Sequence, residues 1–197
     1  TVSGEGKSFI SSNLAISLSL LGKRVVIVGL DIRKPGLNKV FNIPRKEQGI
    51  TQYLSNPEKN LMDFVQPSDV SKNLYILPGG TVPPNPTELL ARDGLDKAIE
   101  TLKKNFDYVI LDTAPLGMVS DSFLLTRAID VVIYVARANY TNKASIEMLN
   151  AWIDNKRINV PVYLILNDVN MNSRTYSYRQ YGSGKYGYGS VSYTHLR

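Results

Sequence analysis

TVSGEGKSFISSN, residues 1–13, is the stretch of sequence that decides the fold of this chain. Its small residues let consecutive backbone N–H groups curl around an anion, while Lys7 can reach outer phosphates and the Ser8 hydroxyl can bind Mg²⁺. The pattern G-x-x-x-x-G-K-[ST] is met at every position except the first, which is Thr1. It predicts a nucleotide-binding loop, whose ligand-contacting residues we expect to be Ser3, Gly4, Glu5, Gly6, Lys7, Ser8 and Phe9.

The residues that follow the loop carry apolar side chains on a helical period up to about residue 21. The loop therefore opens a helix, whose N-terminal N–H groups and dipole would point at the bound phosphates. The alternative is a glycine-rich turn in front of a helix. In folds of this kind a buried strand leads into the loop, and here residue 1 already lies within it. We therefore expect the sequence to be part of a longer protein, with the central strand of its sheet upstream of Thr1.

Two further apolar runs end in an acidic residue. Residues 24–28 lead to Asp31 and residues 108–111 lead to Asp112, and both runs are typical of buried parallel strands. The carboxyl ends of such strands border the crevice where ligands bind in open α/β sheets. Asp31 and Asp112 are therefore candidates for holding Mg²⁺, with Asp112 in a Walker B pattern. The alternative for Asp31 is a turn residue in front of Arg-Lys-Pro.

The rest of the sequence alternates between short apolar strands and helical patterns. This alternation predicts an α/β fold with a doubly wound, mostly parallel sheet of the P-loop NTPase type. The last strand ends at Asn167, which is placed to approach the nucleotide base. Arg33 or Lys34 is placed to contact phosphate or an acidic partner. Strands are predicted at 74–77, 131–135 and 162–167, and helices at 49–54, 60–65, 121–128, 142–158 and from Thr87 to about Lys104.

The amino-acid composition limits the kinds of protein to which this chain can belong. The 197 residues are 43% hydrophobic and contain no Cys, which fits one globular domain with a tail and excludes disulfides and thiolate metal sites. No apolar stretch reaches transmembrane length, and no signal peptide is visible. The net charge is +6, and residues 170–197 hold four basic residues and no acid. So few charges over that length indicate a solvated tail, and no nucleic-acid partner is predicted.

The end of the chain has a different character. From residue 170 the apolar periodicity stops and tyrosines alternate with Gly, Ser and basic residues, which predicts a flexible, solvated tail. Such a tail is either inert or a phosphorylation substrate for the adjoining ATP site. The candidate phosphorylated residues are Tyr176, Tyr178, Tyr181, Tyr186 and Tyr188. We expect a nucleotide-binding domain over 1–169, a tyrosine-rich tail over 170–190 and a non-native end over 191–197, so Tyr193 and His195 receive no role.

Five stretches together resemble one known family. They are the loop, GLDIRKP at 29–35, GGTVPPNPTELL at 79–90, LDTAP at 111–115 and the tyrosine-rich end. In this order they are similar to the cytoplasmic kinase domain of bacterial tyrosine kinases, which regulate exopolysaccharide and capsule polymerisation and export. The resemblance implies ATP and Mg²⁺ as ligands and Lys7, Asp31 and Asp112 as catalytic residues. Lys7 and Ser8 would form Walker A, Asp31 would end a second Walker A-like motif, and Asp112 would form Walker B, with Ser8, Asp31 and Asp112 at the metal.

The resemblance also implies an assembly. The tail tyrosines would be phosphorylated in trans by entering neighbouring active sites, within a homo-oligomeric ring at the cytoplasmic face of the bacterial inner membrane. A chain-length-determinant membrane segment, fused or separate, and a cognate tyrosine phosphatase would be partners. One position departs from the pattern: the second motif is commonly Asp-x-Asp, and its first acid, linked to deprotonation of the attacking tyrosine, is Gly29 here. The identity of the base is therefore open, with Asp31 able to serve both metal and proton.

Two other functions fit parts of the pattern. A septum-positioning or plasmid-partition ATPase would share the fold, but such proteins carry a signature Lys at the place of Val2 and generally lack a tyrosine tail. A non-catalytic, nucleotide-dependent scaffold that binds export proteins would share the binding site, with Gly29 marking lost catalysis.

Overall fold

A computed structural model gives the positions of residues 3–44, 47–56, 58–82, 89, 94–115 and 128–170. The predictions for Thr87, for residues 121–127 and for the tail tyrosines fall outside these residues. In chain order the elements are α1 (Lys7–Leu20), β1 (Val25–Gly29), α2 (Gly36–Val40), α3 (Ile50–Ser55), a 3₁₀ helix (Leu61–Phe64), β2 (Gln66–Ser68), β3 (Ser71–Leu77), α4 (Gly94–Asn105), β4 (Tyr108–Asp112), β5 (Val132–Arg137), α5 (Lys143–Asp154) and β6 (Val162–Asn167).

The predicted strands and the predicted helices within the described residues are confirmed, with shifted ends. The largest shift is in α5, which ends at Asp154 rather than at Ile158. Lys156 takes a left-handed backbone conformation with φ 55°, and the N–H groups of Arg157 and Ile158 turn back to the carbonyl of Trp152. Strand β2 was not predicted, because three residues carry no period that a sequence pattern can show.

The strands pair in a mostly parallel manner, which confirms the predicted fold class. Four of them form a sheet in the order β2-β3-β1-β4, in which β3, β1 and β4 are parallel and the short β2 runs antiparallel to β3. The register places Gly29, the last residue of β1, beside Asp112, the last residue of β4. Strands β5 and β6 form a separate parallel pair, so the described strands make two sheets where one was expected.

Strand β1 lies inside the larger sheet and is buried on both faces. Val25 and Ile27 pack with Ala15 of α1 on one face, while Val26 and Val28 pack on the other face with residues of α3 and α4. Side chains alternate between the faces of a strand, so an uninterrupted apolar run is what a strand covered by helices on both sides requires. The layered arrangement brings the start of α1 to the carboxyl ends of β1 and β4.

A groove separates the two sheets. It encloses about 630 Å³ and is lined by β4, by residues 128–135 and by Ile10, Leu14 and Leu18 of α1. Among the described strands, β4 pairs with β1 alone and β5 with β6 alone, so each has one edge that faces no strand. Backbone N–H and C=O groups along a strand edge need hydrogen-bond partners, and the apolar lining of the groove favours a partner that is buried there. The groove therefore fits an additional strand.

Among the described helices, none combines the length and apolarity that crossing a membrane requires.

We expect an amino-terminal extension of about ten to twenty residues, with a strand-forming apolar run, to fill this groove and stabilise the domain. Pairing two open edges and covering apolar side chains of α1 should raise the Tm by several degrees. The measurement is thermal unfolding of the chain with and without the extension, with a polar extension of equal length as control. An unchanged Tm would show that the sheets are complete without a further strand.

Candidate active site

The loop before α1 has the backbone shape of an anion cradle. Gly4 and Gly6 have φ angles of 89° and 92°, a left-handed region that residues with a Cβ rarely enter. Helix α1 begins at Lys7 without a side-chain cap and without an acidic residue in its first turn. Its first N–H groups and the positive end of its dipole therefore face the space in front of the loop.

This space is a cavity of about 310 Å³. It is lined by Ser3, Gly4, Gly6, Lys7, Ser8, Phe9, Asp31, Arg33, Lys34, Gly36, Ala114 and Pro115. Six of the seven predicted loop residues line it, together with Asp31 and Arg33, whereas Glu5, Asn167 and Asp112 do not. Asp112 lines the neighbouring groove between the sheets instead. The cavity is distinguished from the larger groove by the loop residues and by the basic side chains of Arg33 and Lys34, whereas Lys7 lines both spaces.

Asp112 is tied to α1 by two hydroxyl groups. The Ser8 hydroxyl donates to Asp112 Oδ2 at 2.7 Å, and the Ser11 hydroxyl lies 3.2 Å from Oδ1. Asp112 is only 2% exposed. Burial raises the pKa of this carboxyl, the hydrogen bonds from Ser8 and Ser11 oppose the rise, and the nearby charge of Asp31 adds to it. The sequence reasoning missed Ser11, although its i, i+3 spacing from Ser8 places both residues on one helix face.

Asp31 lies beside Asp112 because the ends of their strands are joined. The N–H groups of Leu30 and Asp31 both donate to the backbone carbonyl of Asp112, at 2.8 and 3.1 Å. Asp31 Oδ1 accepts the N–H of Lys34 at 3.0 Å, which is the local bond of a turn residue. The two roles considered for Asp31 are thus compatible, because the same carboxylate closes the turn and lines the cavity.

Lys7 forms an ion pair with Glu5 inside the loop. Lys7 Nζ lies 3.6 Å from Glu5 Oε2, and the Glu5 side chain is fully buried. Glu5 Oε1 also accepts the hydroxyl of Thr141 at 2.8 Å. Burial lowers the pKa of Lys7, and the charges of Glu5, Asp112 and Asp31 oppose this effect. The Glu5 side chain therefore holds Lys7, so a direct contribution of Glu5 to ligand binding would have to come from its backbone.

Gly29 occupies a crowded position at the end of β1. A Cβ at this residue would lie 3.0 Å from the backbone nitrogen of Gly79, closer than ordinary packing allows. An acidic side chain at position 29 would thus require the backbone near residue 79 to move. Asp31 is consequently the acid of this motif that the structure brings to the cavity.

Asn167 lies behind the loop rather than at the cavity. Its Nδ2 atom donates to the backbone carbonyl of Glu5 at 3.0 Å. Its predicted contact with a nucleotide base stays a prediction, and the structure adds a second role, support of the loop. The Arg137, Tyr140 and Thr141 side chains also contact loop residues, and the sequence reasoning named none of them. No sequence signal could have found them, because more than 130 positions separate the partners.

Comparison with known proteins adds three observations. Residues 2–160 match the sequence family described as AAA domain. The tyrosine-protein kinase CpsD of Streptococcus agalactiae is 36% identical over 185 residues, covering 91% of this chain and 77% of that protein. The solved kinase domain of VpsO has a TM-score of 0.78 and 31% identity, covering 86% of this chain and 81% of that chain.

A third protein shares the fold at lower identity. The septum site-determining protein MinD of Pyrococcus horikoshii OT3, solved in complex with Mg-ADP, has a TM-score of 0.68 and 21% identity and covers 83% of this chain and 65% of that chain. Identity at this level shows the fold alone. The two structural matches together confirm the predicted P-loop ATPase-like fold, which implies nucleotide binding with Mg²⁺.

The raised pKa of Asp112 predicts a stability effect. The folded protein binds this proton more tightly than the unfolded chain, so Asp112 lowers the free energy of unfolding as the pH rises from about 4 through its folded-state pKa. Asp112→Asn should therefore raise the Tm by a few degrees at pH 7 in metal-free buffer, with little difference below about pH 4.

The same variant should lose Mg²⁺-dependent nucleotide binding, because a neutral amide is a weaker ligand for a hard cation. Asp69→Asn, at an exposed turn, is the matched control and should change neither property. A Tm of Asp112→Asn that is lower at pH 7 than that of the unsubstituted chain would contradict the electrostatic assignment. Retained Mg²⁺ dependence would place Walker B elsewhere.

Proposed function

Because the chain belongs to the family of bacterial tyrosine-protein kinases built on the AAA domain, we propose that it transfers the terminal phosphoryl group of ATP to tyrosine hydroxyls. The resemblance found in the sequence is confirmed by these relatives. The observation that carries the proposal is the bond between Ser8 Oγ and Asp112 Oδ2, which joins Walker A to Walker B at 2.7 Å. The partition-type ATPase is less supported, because the MinD match is only 21% identical.

The residues at the cavity fit Mg²⁺ bound together with a nucleotide. Ser8 offers a hydroxyl and Asp31 a carboxylate at the cavity, and Asp112 offers a second carboxylate next to it, bonded to Ser8. These are the oxygen ligands that Mg²⁺ prefers. Within the described part of the chain, no group of three or more His, Cys, Asp or Glu residues could hold a metal alone. A sparse protein ligand set is typical of Mg²⁺ sites that share the ion with phosphates. When bound, Mg²⁺ would neutralise charge on the phosphate oxygens.

The chain's own residues then have distinct tasks. The loop N–H groups and the start of α1 bind phosphate oxygens, and Lys7 offsets the negative charge that develops on the transferred group. Ser11 keeps the Asp112 carboxylate oriented and favours its ionised form. As the tyrosine oxygen bonds to phosphorus and the bond to the ADP oxygen breaks, the phenolic proton needs an acceptor. We assign that task to Asp31, which lines the cavity and also orients the metal.

The substrates we propose are the chain's own tail tyrosines, phosphorylated in trans within a ring of subunits. The relatives' names as tyrosine-protein kinases support this choice, and the density of tyrosines in residues 176–188 supplies the acceptors. The wider setting we propose is control of exopolysaccharide and capsule export at the cytoplasmic face of the bacterial inner membrane. The chain-length-determinant membrane segment and a cognate tyrosine phosphatase would be the partners there.

Replacing Lys7 by Met should reduce ³²P transfer from ATP to the tail by about a hundredfold or more, because the transferred group loses its charge partner. Lys23→Met, at an exposed site after α1, is the matched control and should transfer normally. Undiminished labelling in Lys7→Met would remove Lys7 from the site. In the unsubstituted protein, ATP hydrolysis without tail labelling would favour the partition-type ATPase, and nucleotide binding with neither activity would favour the scaffold.

Phosphorylation of the tail should dissolve the ring. Each phosphate adds about −1.5 to −2 charges, so three of them turn a segment whose charges are Arg174, Arg179 and Lys185 clearly acidic. The negative charges of Asp31, Asp112 and bound ATP would then repel it. The mass of the assembly on its membrane partner, measured before and after ATP, should fall. A variant with all five tail tyrosines changed to Phe should stay assembled, and an equally assembled, fully phosphorylated wild type would refute the idea.

A further inference from the structure

Three consecutive backbone carbonyls of the nucleotide-binding loop are held by side chains from the smaller sheet. The three hydrogen bonds join the Tyr140 hydroxyl to the Ser3 oxygen at 2.8 Å, Arg137 Nη1 to the Gly4 oxygen at 3.2 Å, and Asn167 Nδ2 to the Glu5 oxygen at 3.0 Å. We call Arg137, Tyr140 and Asn167 the carbonyl brace. All three donors come from the carboxyl ends of β5 and β6 or from the turn after β5.

The carbonyl brace is itself fixed by further contacts. Arg137 Nε donates to Asp168 Oδ2 at 2.9 Å, and the guanidinium lies 5.2 Å from the centre of the Tyr140 ring. Arg137 and Asn167 are direct partners in the β5–β6 register, and the N–H of Ala138 donates to the Asn167 carbonyl at 2.9 Å. The donors therefore sit on a paired strand end rather than on an isolated loop, which limits how far they can move.

Fixing a carbonyl also fixes the N–H group of the next residue. The described peptide bonds are all trans, and in a trans peptide the C=O and the following N–H point in opposite directions. Carbonyls of Ser3, Gly4 and Glu5 drawn toward the brace therefore turn the N–H groups of Gly4, Glu5 and Gly6 away from it. Successive N–H groups on one side of a turn form an anion-binding concavity. A loop with two glycines would otherwise sample many peptide orientations.

We propose that Arg137, Tyr140 and Asn167 are positioning residues, which hold three peptide planes of the loop so that their N–H groups converge on the outer phosphates of the nucleotide. The role rests on the proposed function, because it assumes that the cavity beside Lys7 binds a nucleotide. It assigns to the smaller sheet a part in phosphate recognition, although none of these three residues lines the cavity. Asn167 acts here through Glu5 rather than through the base.

Tyr140→Phe is the sharpest test. The substitution removes only the hydroxyl that donates to the Ser3 carbonyl, and it keeps the ring beneath Arg137. Tyr140 is half exposed, so the variant should fold with an unchanged Tm. Tyr163→Phe, on the exposed part of β6, is the matched control. We expect Tyr140→Phe to bind ADP and ATP about fivefold more weakly than the control does, measured by calorimetric titration in Mg²⁺.

Asn167→Asp is the second test, because it replaces a donor by an acceptor of the same size and sets a negative charge against the Glu5 carbonyl. Affinity for ATP and for ADP should fall more than tenfold, with AMP affected much less because AMP lacks the outer phosphates. GTP affinity should fall by the same factor as ATP affinity. A changed ratio of ATP to GTP affinity would instead assign Asn167 to the base and overturn its place in the brace.

A spectroscopic measurement separates positioning from general destabilisation. In ¹⁵N-labelled protein the amide resonances of Gly4 and Gly6 should shift or broaden in both variants, because their peptide planes become free to turn, while the signals of the β1 core stay unchanged. If both variants bind ADP and ATP as tightly as Tyr163→Phe does, or if these glycine resonances do not respond, the brace has no positioning role.

The outcomes for the brace and for the kinase activity are distinguishable. Wild-type protein that binds ATP but does not label its tail would refute the proposed function and leave the brace supported or refuted by the affinities. Wild-type protein that labels its tail, with variants that bind ATP normally, would refute the brace alone. Failure of the wild type to bind any nucleotide would refute both.

Discussion

The hydrogen bond between Ser8 and Asp112 is the interaction on which the geometry of the site depends. It connects the first turn of α1 to the end of β4 at 2.7 Å, across 104 positions of sequence. The backbone carbonyl of Asp112 simultaneously accepts the N–H groups of Leu30 and Asp31. One residue thereby sets the relative positions of the loop, the central strand and both acidic strand ends. The Asp112 carboxylate is buried in this position. Burial disfavours its charged form and so raises the pKa of Asp112.

The loop lies between two layers that constrain it from opposite sides. The larger sheet supplies the acidic residues and, through α1, the hydroxyls and the ammonium group. The smaller sheet supplies donors to the loop carbonyls and, through Thr141, a hydroxyl to the buried Glu5 carboxylate. Binding of a polyanion needs many N–H groups aimed at one point, which a glycine-rich segment cannot maintain alone. The division of tasks between the sheets supplies that order while the glycines keep the backbone accessible.

At the end of β1 this chain has one acid where the Asp-x-Asp pattern has two, and the space beside Gly29 is narrow. Gly29 faces the backbone of Gly79, and Asp31 takes the position from which an acid can reach the cavity. The same carboxylate accepts the N–H of Lys34 and so shapes the turn that carries Arg33 and Lys34 to the cavity. In the mechanism proposed here, Asp31 would both orient the metal and accept the proton, tasks that the Asp-x-Asp pattern can divide between two acids.

The sequence by itself determined the class of fold, the position of the nucleotide-binding loop and the two acidic strand ends. These features depend on local chemistry: small residues at positive φ, a helical period after the loop and apolar runs that end in an acid. Only the tertiary structure decided that Ser11 reaches Asp112, that Glu5 is buried against Lys7 and Thr141, and that Arg137, Tyr140 and Asn167 hold the loop carbonyls. Apart from the ion pair between Glu5 and Lys7, these contacts join residues more than 100 positions apart through single polar atoms. No periodicity or spacing along the chain encodes them, because they arise only when strands that are distant in sequence end at the same edge of the fold.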